Sequence, residues 1–175
     1  MMESSAAHWC NLIADSLRKA HWQLATAESC TGGLIAAACT DLAGSSHWFE
    51  RGFVTYSNQA KCEMLGVDAA LLERYGAVSE EVARAMAQGA LAHAHAQVAL
   101  AVTGVAGPSG GTLAKPVGTV WFAWAVPHYC SSEVMQFTGD RATVRTRTML
   151  HSLEKLYVFI DECLTTDKRR PPHAP

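Results

Sequence analysis

The sequence is poor in charge and has no excess of either sign. Asp, Glu, Lys and Arg make up 17% of its 175 residues, and the formal net charge is −2. No stripe of Lys and Arg forms, so the electrostatic footprint of a nucleic-acid binder is missing. The basic surface that would capture an anionic membrane is missing too. Every apolar run stops well short of the ~18 residues that suggest a membrane-spanning helix. The first ten residues, MMESSAAHWC, lack a basic segment followed by an apolar one, so no signal peptide is expected and the expected location is cytoplasmic. The six cysteines (Cys10, Cys30, Cys39, Cys62, Cys130 and Cys163) never fall as C-x-x-C and match neither a zinc ribbon nor a disulfide framework. They read as free, mostly buried thiols of a reducing compartment, and no metal site is expected.

Hydrophobic residues, by contrast, account for 49% of the chain and are spread along it, which excludes disorder and fits one domain with a substantial core. That domain is expected over 1–164, with a disordered proline-rich tail over 165–175. Trp9, Leu12, Ile13, Leu17 and Ala20 form one helical stripe. WQLATAE reads as a strand, punctuated by Gly32-Gly33, and LIAAACTDL as a small-residue helix. GFVTYS reads as a second strand. Asn58 is the expected cap of a short helix, QAKCEML, which Gly66 stops. Ser79 opens the best helix, with Glu80 and Glu81 where the macrodipole favours anions. VALAVT is a continuous apolar strand of buried character. VGTVWFAWAV and SEVMQFT form a hairpin, and GDR leads into a last long helix carrying Met149, Leu153, Leu156 and Ile160 on one face. This order predicts a three-layer α/β/α sandwich around a mixed, mostly parallel five-stranded sheet.

Three segments could carry chemistry. In AESCTGG, Ser29, Cys30 and Thr31 stand side by side at a strand's carboxyl end, where open α/β sheets place ligands. Amides opening the next helix would favour an oxyanion, and Gly32 and Gly33 allow close approach of a bound group. A simple helix cap explains the same residues. In TYSNQAK, Lys61 falls near a helix N-terminus, where the dipole opposes its charge. A neutral lysine can act as base for a serine nucleophile, and a solvated surface lysine is the plain alternative. In TGVAGPSGG, with KPVG after it, successive amides could form an anion nest. The stretch has neither the Gly-Lys-Ser/Thr ending of a P-loop nor the dinucleotide-binding G-x-G-x-x-G. His93 and His95 are two apart on a helix and face different ways, so they make poor joint metal ligands.

Taken together, ESCTGG, TYSNQAK, VTGVAGPSGG, KPVGTVWFA and GDR, in this order, resemble the CinA C-terminal domain family. Its stand-alone members are the nicotinamide-nucleotide amidohydrolases of the PncC type. The resemblance runs from about Trp9 to Ile160. It implies hydrolysis of the carboxamide of nicotinamide mononucleotide to nicotinate mononucleotide and ammonia, in pyridine nucleotide recycling, with no metal or cofactor. It implies Ser29 as nucleophile, Lys61 as base and Tyr56 as a hydroxyl that holds or relays the proton. Backbone groups of Cys30, Thr31, Gly32 and Gly33 would face the substrate. Thr103 would support the site, and the loop with Gly104, Gly107, Gly110 and Gly111 would enclose the nucleotide. The nest and Arg141 are candidates for its phosphate. A homodimer is the family-level expectation. The separate pyrophosphatase-like activity of longer members is not expected. Arg51-Gly52-Phe53 departs from the smaller residues the family pattern suggests and bears on the shape of the site mouth. Two other readings compete: a non-catalytic nucleotide-binding paralogue, and a cysteine amidase using Cys30.

Overall fold

A computed structural model describes residues 5–166. The expected tail from residue 167 onward lies outside the described residues. The chain runs α1 (Ala6–Ala20), β1 (Leu24–Glu28), α2 (Leu34–Thr40), a 3-10 turn (Ser45–His47), β2 (Phe49–Val54), α3 (Asn58–Leu65), α4 (Ala69–Tyr75) and α5 (Glu80–Ala92). It continues through β3 (Val98–Gly104), β4 (Thr119–Val126), β5 (Tyr129–Gln136) and α6 (Arg141–Thr165). The strands form one sheet in the order β2-β1-β3-β4-β5. β1 pairs parallel with both β2 and β3, and β4 pairs antiparallel with β3 and β5. Only β4 therefore runs against the other four strands, and helices cover both faces as the α/β/α expectation requires.

Strand alternation assigns the faces different side chains. Leu24, Val98, Leu100, Val102, Val120, Phe122 and Trp124 point into the core shared with α1, α2 and α6. The opposite face is made of alanines. Ala25 pairs with Ala99, and Ala99 with Ala125; Ala27 pairs with Ala101, and Ala101 with Ala123. These two small-residue rows let α5 lie close to the sheet through Val82, Ala83, Met86, Ala87 and Ala90. Gly89 brings α5 against the Leu65 carbonyl at the end of α3, where a Cβ would have no room.

β2 starts and ends three residues before its expected span, so Tyr56 and Ser57 lie beyond it, and Ser57 rather than Asn58 caps α3 by accepting from Ala60 N at 3.0 Å. β5 likewise starts earlier than expected, because Pro127-His128 makes a two-residue turn that pairs Val126 with Tyr129. His128 takes a left-handed φ of 70° there, as the third residue of a type II turn does. α4 was not expected from the sequence; it is seven residues long, capped by Asp68 and stopped at Gly76.

Glu28 ends β1 fully buried. Its carboxylate accepts from Gly33 N at 3.0 Å, Ile35 N at 3.1 Å and Ala36 N at 2.8 Å. A helix start leaves four N–H groups without intrahelical partners, and an anion there also meets the positive end of the dipole. One side chain thus satisfies most of the α2 terminus from inside the sheet. Glu28→Ala strands these donors in a dry environment. It is expected to cost about 3 kcal/mol or more, read as a lowered urea midpoint with an unchanged slope.

Candidate active site

The sheet order places β2 and β3 on opposite sides of β1. The crevice between the carboxyl ends of β1 and β3 is therefore the switch point at which such sheets bind ligands. Ser29 stands at one lip and Thr103 with Gly104 at the other. Between them lies a pocket of about 200 Å³ lined by Ser29, Cys30, Tyr56, Asn58, Lys61, Ala77, Val78, Thr103, Gly104, Ala106 and Arg141.

Lys61 enters from the first turn and a half of α3. Its side chain is 1% exposed, and Nζ donates to Ser29 Oγ at 3.0 Å and to the Thr55 carbonyl at 2.8 Å. Among the described residues no carboxylate forms an ion pair with it. Burial disfavours the ammonium, and this desolvation pulls the Lys61 pKa below its ordinary 10.5 against weaker opposing pulls from the Cys30 and Cys62 thiols. The amine is thus pushed toward its neutral form while it touches a hydroxyl. Ser29 N donates to Val102 O at 3.1 Å, and Thr55 N donates to Glu28 O at 2.8 Å, so both partners hang from backbone bonded to the central strands.

Cys30 does not share this activation. It is 5% exposed, and burial pushes its thiol up to about 12. Among the described residues no histidine lines the pocket. A thiolate nucleophile has no support here.

The other expected site residues separate into two groups. Tyr56 is 61% exposed at the mouth, and its hydroxyl accepts from Arg141 Nη2 at 2.8 Å rather than bonding Ser29 or Lys61. Arg141 also donates from Nη1 to Gly107 O at 2.8 Å, which ties the glycine-rich loop to α6. Thr103 Oγ1 donates to Ala77 O at 2.8 Å and so fixes the pocket wall before α5. Thr31, Gly32, Gly33, Gly107, Gly110 and Gly111 do not line the pocket. Gly32 N is used by Ser29 O at 3.1 Å and Gly33 N by Glu28, so of the amides expected at Cys30–Gly33 only those of Cys30 and Thr31 donate to no other residue. The reason is chemical: the helix end expected to meet substrate is already occupied by a carboxylate of the chain itself. Arg51 turns away from the mouth to Glu50 and the His93 carbonyl.

Sequence reading also missed residues. Asn58, freed from capping, lines the pocket. Arg145 on α6 donates from Nε to Cys30 O at 3.2 Å and from Nη2 to Thr31 O at 2.8 Å. Its only sequence signal is its place four residues after Arg141, one turn along the same helix. Among the described residues no cluster of three or more His, Cys, Asp or Glu could hold a metal ion.

The model of the CinA C-terminal domain matches residues 7–160. The chain belongs to the CinA C-terminal domain family. It is 54% identical, over 81% of its length and 87% of the relative's, to the protein named nicotinamide-nucleotide amidohydrolase PncC from Enterobacter agglomerans. It is 46% identical to the protein of that name from Escherichia coli K12, over 90% of this chain and 96% of the other. A crystal structure titled competence/damage inducible protein CihA, from Agrobacterium tumefaciens, superposes with a TM-score of 0.87 at 40% identity. It covers 92% of this chain and 98% of that one. The CinA C-terminal fold is therefore shared almost end to end.

The sign of the Lys61 effect on stability follows from its lowered pKa. Between that lowered value and 10.5, the unfolded chain binds the proton and the folded chain does not, so folding stability rises with pH. Below the lowered value both states are charged and the destabilisation is fully present. Lys61→Met, which removes the buried amine, is expected to be more stable than the wild type at neutral pH and to lose this rise. Urea unfolding across the alkaline range, comparing the two proteins, tests this.

Proposed function

We propose that the chain hydrolyses the carboxamide of nicotinamide mononucleotide, giving nicotinate mononucleotide and ammonia, with Ser29 and Lys61 as its catalytic pair. The observation that carries the reading is the 3.0 Å contact between a desolvated lysine amine and the Ser29 hydroxyl in a pocket at the sheet's switch point. The names of the two relatives described above point to the same substrate.

Neutral Lys61 takes the Ser29 proton as Oγ attacks the amide carbon. The carbonyl oxygen becomes an oxyanion, and in this reading the N–H groups of Cys30 and Thr31, which donate to no other residue, are its donors. One such donor is worth about 3–4 kcal/mol of barrier. Lys61, now charged, returns the proton to the departing nitrogen, and ammonia leaves. A water molecule then gives its proton to the same amine and attacks the ester on Ser29. The carboxylate product is released and the hydroxyl restored. The Thr55 carbonyl holds Nζ in place through both half-reactions.

The pocket, at about 200 Å³, lies below the roughly 300 Å³ at which drug-sized ligand sites begin. It fits the amide-bearing ring, while ribose and phosphate lie across the mouth. Arg141 is the cation placed there, with Tyr56 and Asn58 beside it. Tyr56, bonded to Arg141, serves the mouth of the site in this reading, not the proton relay. A cytoplasmic homodimer completes the proposal. Among the described residues no helix is long and apolar enough to cross a membrane.

Ser29→Ala is expected to abolish ammonia release from nicotinamide mononucleotide while leaving the thermal transition near that of the wild type. Lys61→Met is expected to lower it by several orders of magnitude. Cys30→Ser retains most of the activity. Near-normal turnover in either of the first two variants, or a dead Cys30→Ser, overturns the assignment.

A further inference from the structure

With the Gly32 and Gly33 amides engaged, the Cys30 and Thr31 N–H groups are the two of that row that donate to no other residue, and something must aim them. Ser29 to Gly32 form a turn closed by Gly32 N donating to Ser29 O. The peptide at its centre joins Cys30 to Thr31. A trans peptide points its C=O and N–H in opposite directions. Whatever grips the Cys30 carbonyl therefore fixes the direction of the Thr31 N–H. Arg145 is that group: its Nε binds Cys30 O and its Nη2 binds Thr31 O.

The guanidinium suits this task. Its planar fork fixes two neighbouring carbonyls at once, which a lysine ammonium on a flexible stem does not. It is half-buried and has no ion-pair partner among the described residues, so its charge remains free to polarise the peptide it holds. A hydrogen bond to a charged donor strengthens the dipole of the group that accepts it, and bonds in such chains reinforce one another. Arg145 does not line the pocket. A Cβ at Gly32 would meet its Nη2 at 3.6 Å, so the guanidinium also lies against Gly32.

We propose that Arg145 is a positioning residue of the oxyanion site, acting on the developing charge only through the Cys30–Thr31 peptide. The inference rests on the Ser29–Lys61 hydrolase reading. It adds a cation from α6 as the element that sets the donors' direction and strength. Its effect belongs to the transition state, because the ground-state amide oxygen carries little charge, so kcat should fall while KM stays.

The test uses Arg145→Ala and Arg145→Lys in the full chain. For Arg145→Ala, kcat for ammonia release from nicotinamide mononucleotide is expected to fall about 10- to 100-fold, somewhat less than deletion of an oxyanion donor, with KM nearly unchanged. Arg145→Lys, which keeps the charge and loses the fork, should lie between Arg145→Ala and the wild type. Millimolar guanidinium should restore part of the kcat of Arg145→Ala and none of that of Ser29→Ala. Phosphonylation of Ser29 by an aryl fluorophosphonate should slow in parallel, because the phosphonyl oxygen would draw on the same amides. This second readout does not depend on the substrate. If the wild type releases no ammonia yet Arg145→Ala still slows phosphonylation, the substrate reading fails and the role of Arg145 stands. A wild-type kcat in Arg145→Ala overturns the role of Arg145, as does a loss confined to KM. An unchanged phosphonylation rate in a folded Arg145→Ala protein overturns it too.

Discussion

The site depends on keeping one amine out of water without giving it a counter-charge. Lys61 is held by a hydroxyl and a carbonyl, both uncharged, inside a wall of small residues. A carboxylate in the same place would hold the ammonium form and remove the base that the proposed reaction needs. The fold supplies the environment by aligning three things at one end of the sheet. The turn after β1 carries Ser29, the segment after β2 carries Thr55, and the first turns of α3 carry the lysine. The first two are fixed by backbone bonds to neighbouring strands and the third by the Ser57 cap of α3, so the 3.0 Å contact is a product of the fold rather than of surface chance. A buried lysine is a standing cost to stability, and its persistence fits a group whose use is chemical.

Much of this was legible in the sequence. The alternation of large and small residues along VALAVT and VWFAWAV marks two buried faces, and the order of elements gives the layers. Ser29 at a strand end and Lys61 near a helix start stand out, but each also reads as a plain cap or a surface lysine, and only the resemblance to the CinA C-terminal domain family assigns them roles. The boundaries were less legible. Ser57 and Asn58 are both good caps, and which one serves depends on where β2 ends, which pairing with β1 decides. α4 is too short to show a hydrophobic period.

The site's supporting residues were the least legible, for a common reason. Glu28 reads as the polar end of a strand, and Arg145 as one of several basic residues on an exposed helix. Their roles exist only across long sequence distances or around a tight turn. Arg145 lies 115 residues from Cys30. No local pattern encodes such a contact. The amides assigned to substrate binding at Gly32 and Gly33 went astray for the same reason: the side chain that takes Gly33 N comes from the strand before it.

Glu28 also bears on how a nucleotide can lie in the site. Many α/β proteins offer the start of the helix after the first strand to a phosphate. Here that berth is filled by an anion tethered to the chain itself, whose effective local concentration a free phosphate cannot match. In the proposed reaction, the ligand's charged end is thereby kept from the nucleophile's side of the crevice and turned toward α6. On that proposal the internal carboxylate acts as a polarity marker: it sets which end of a bipolar substrate enters first from a place outside the pocket lining.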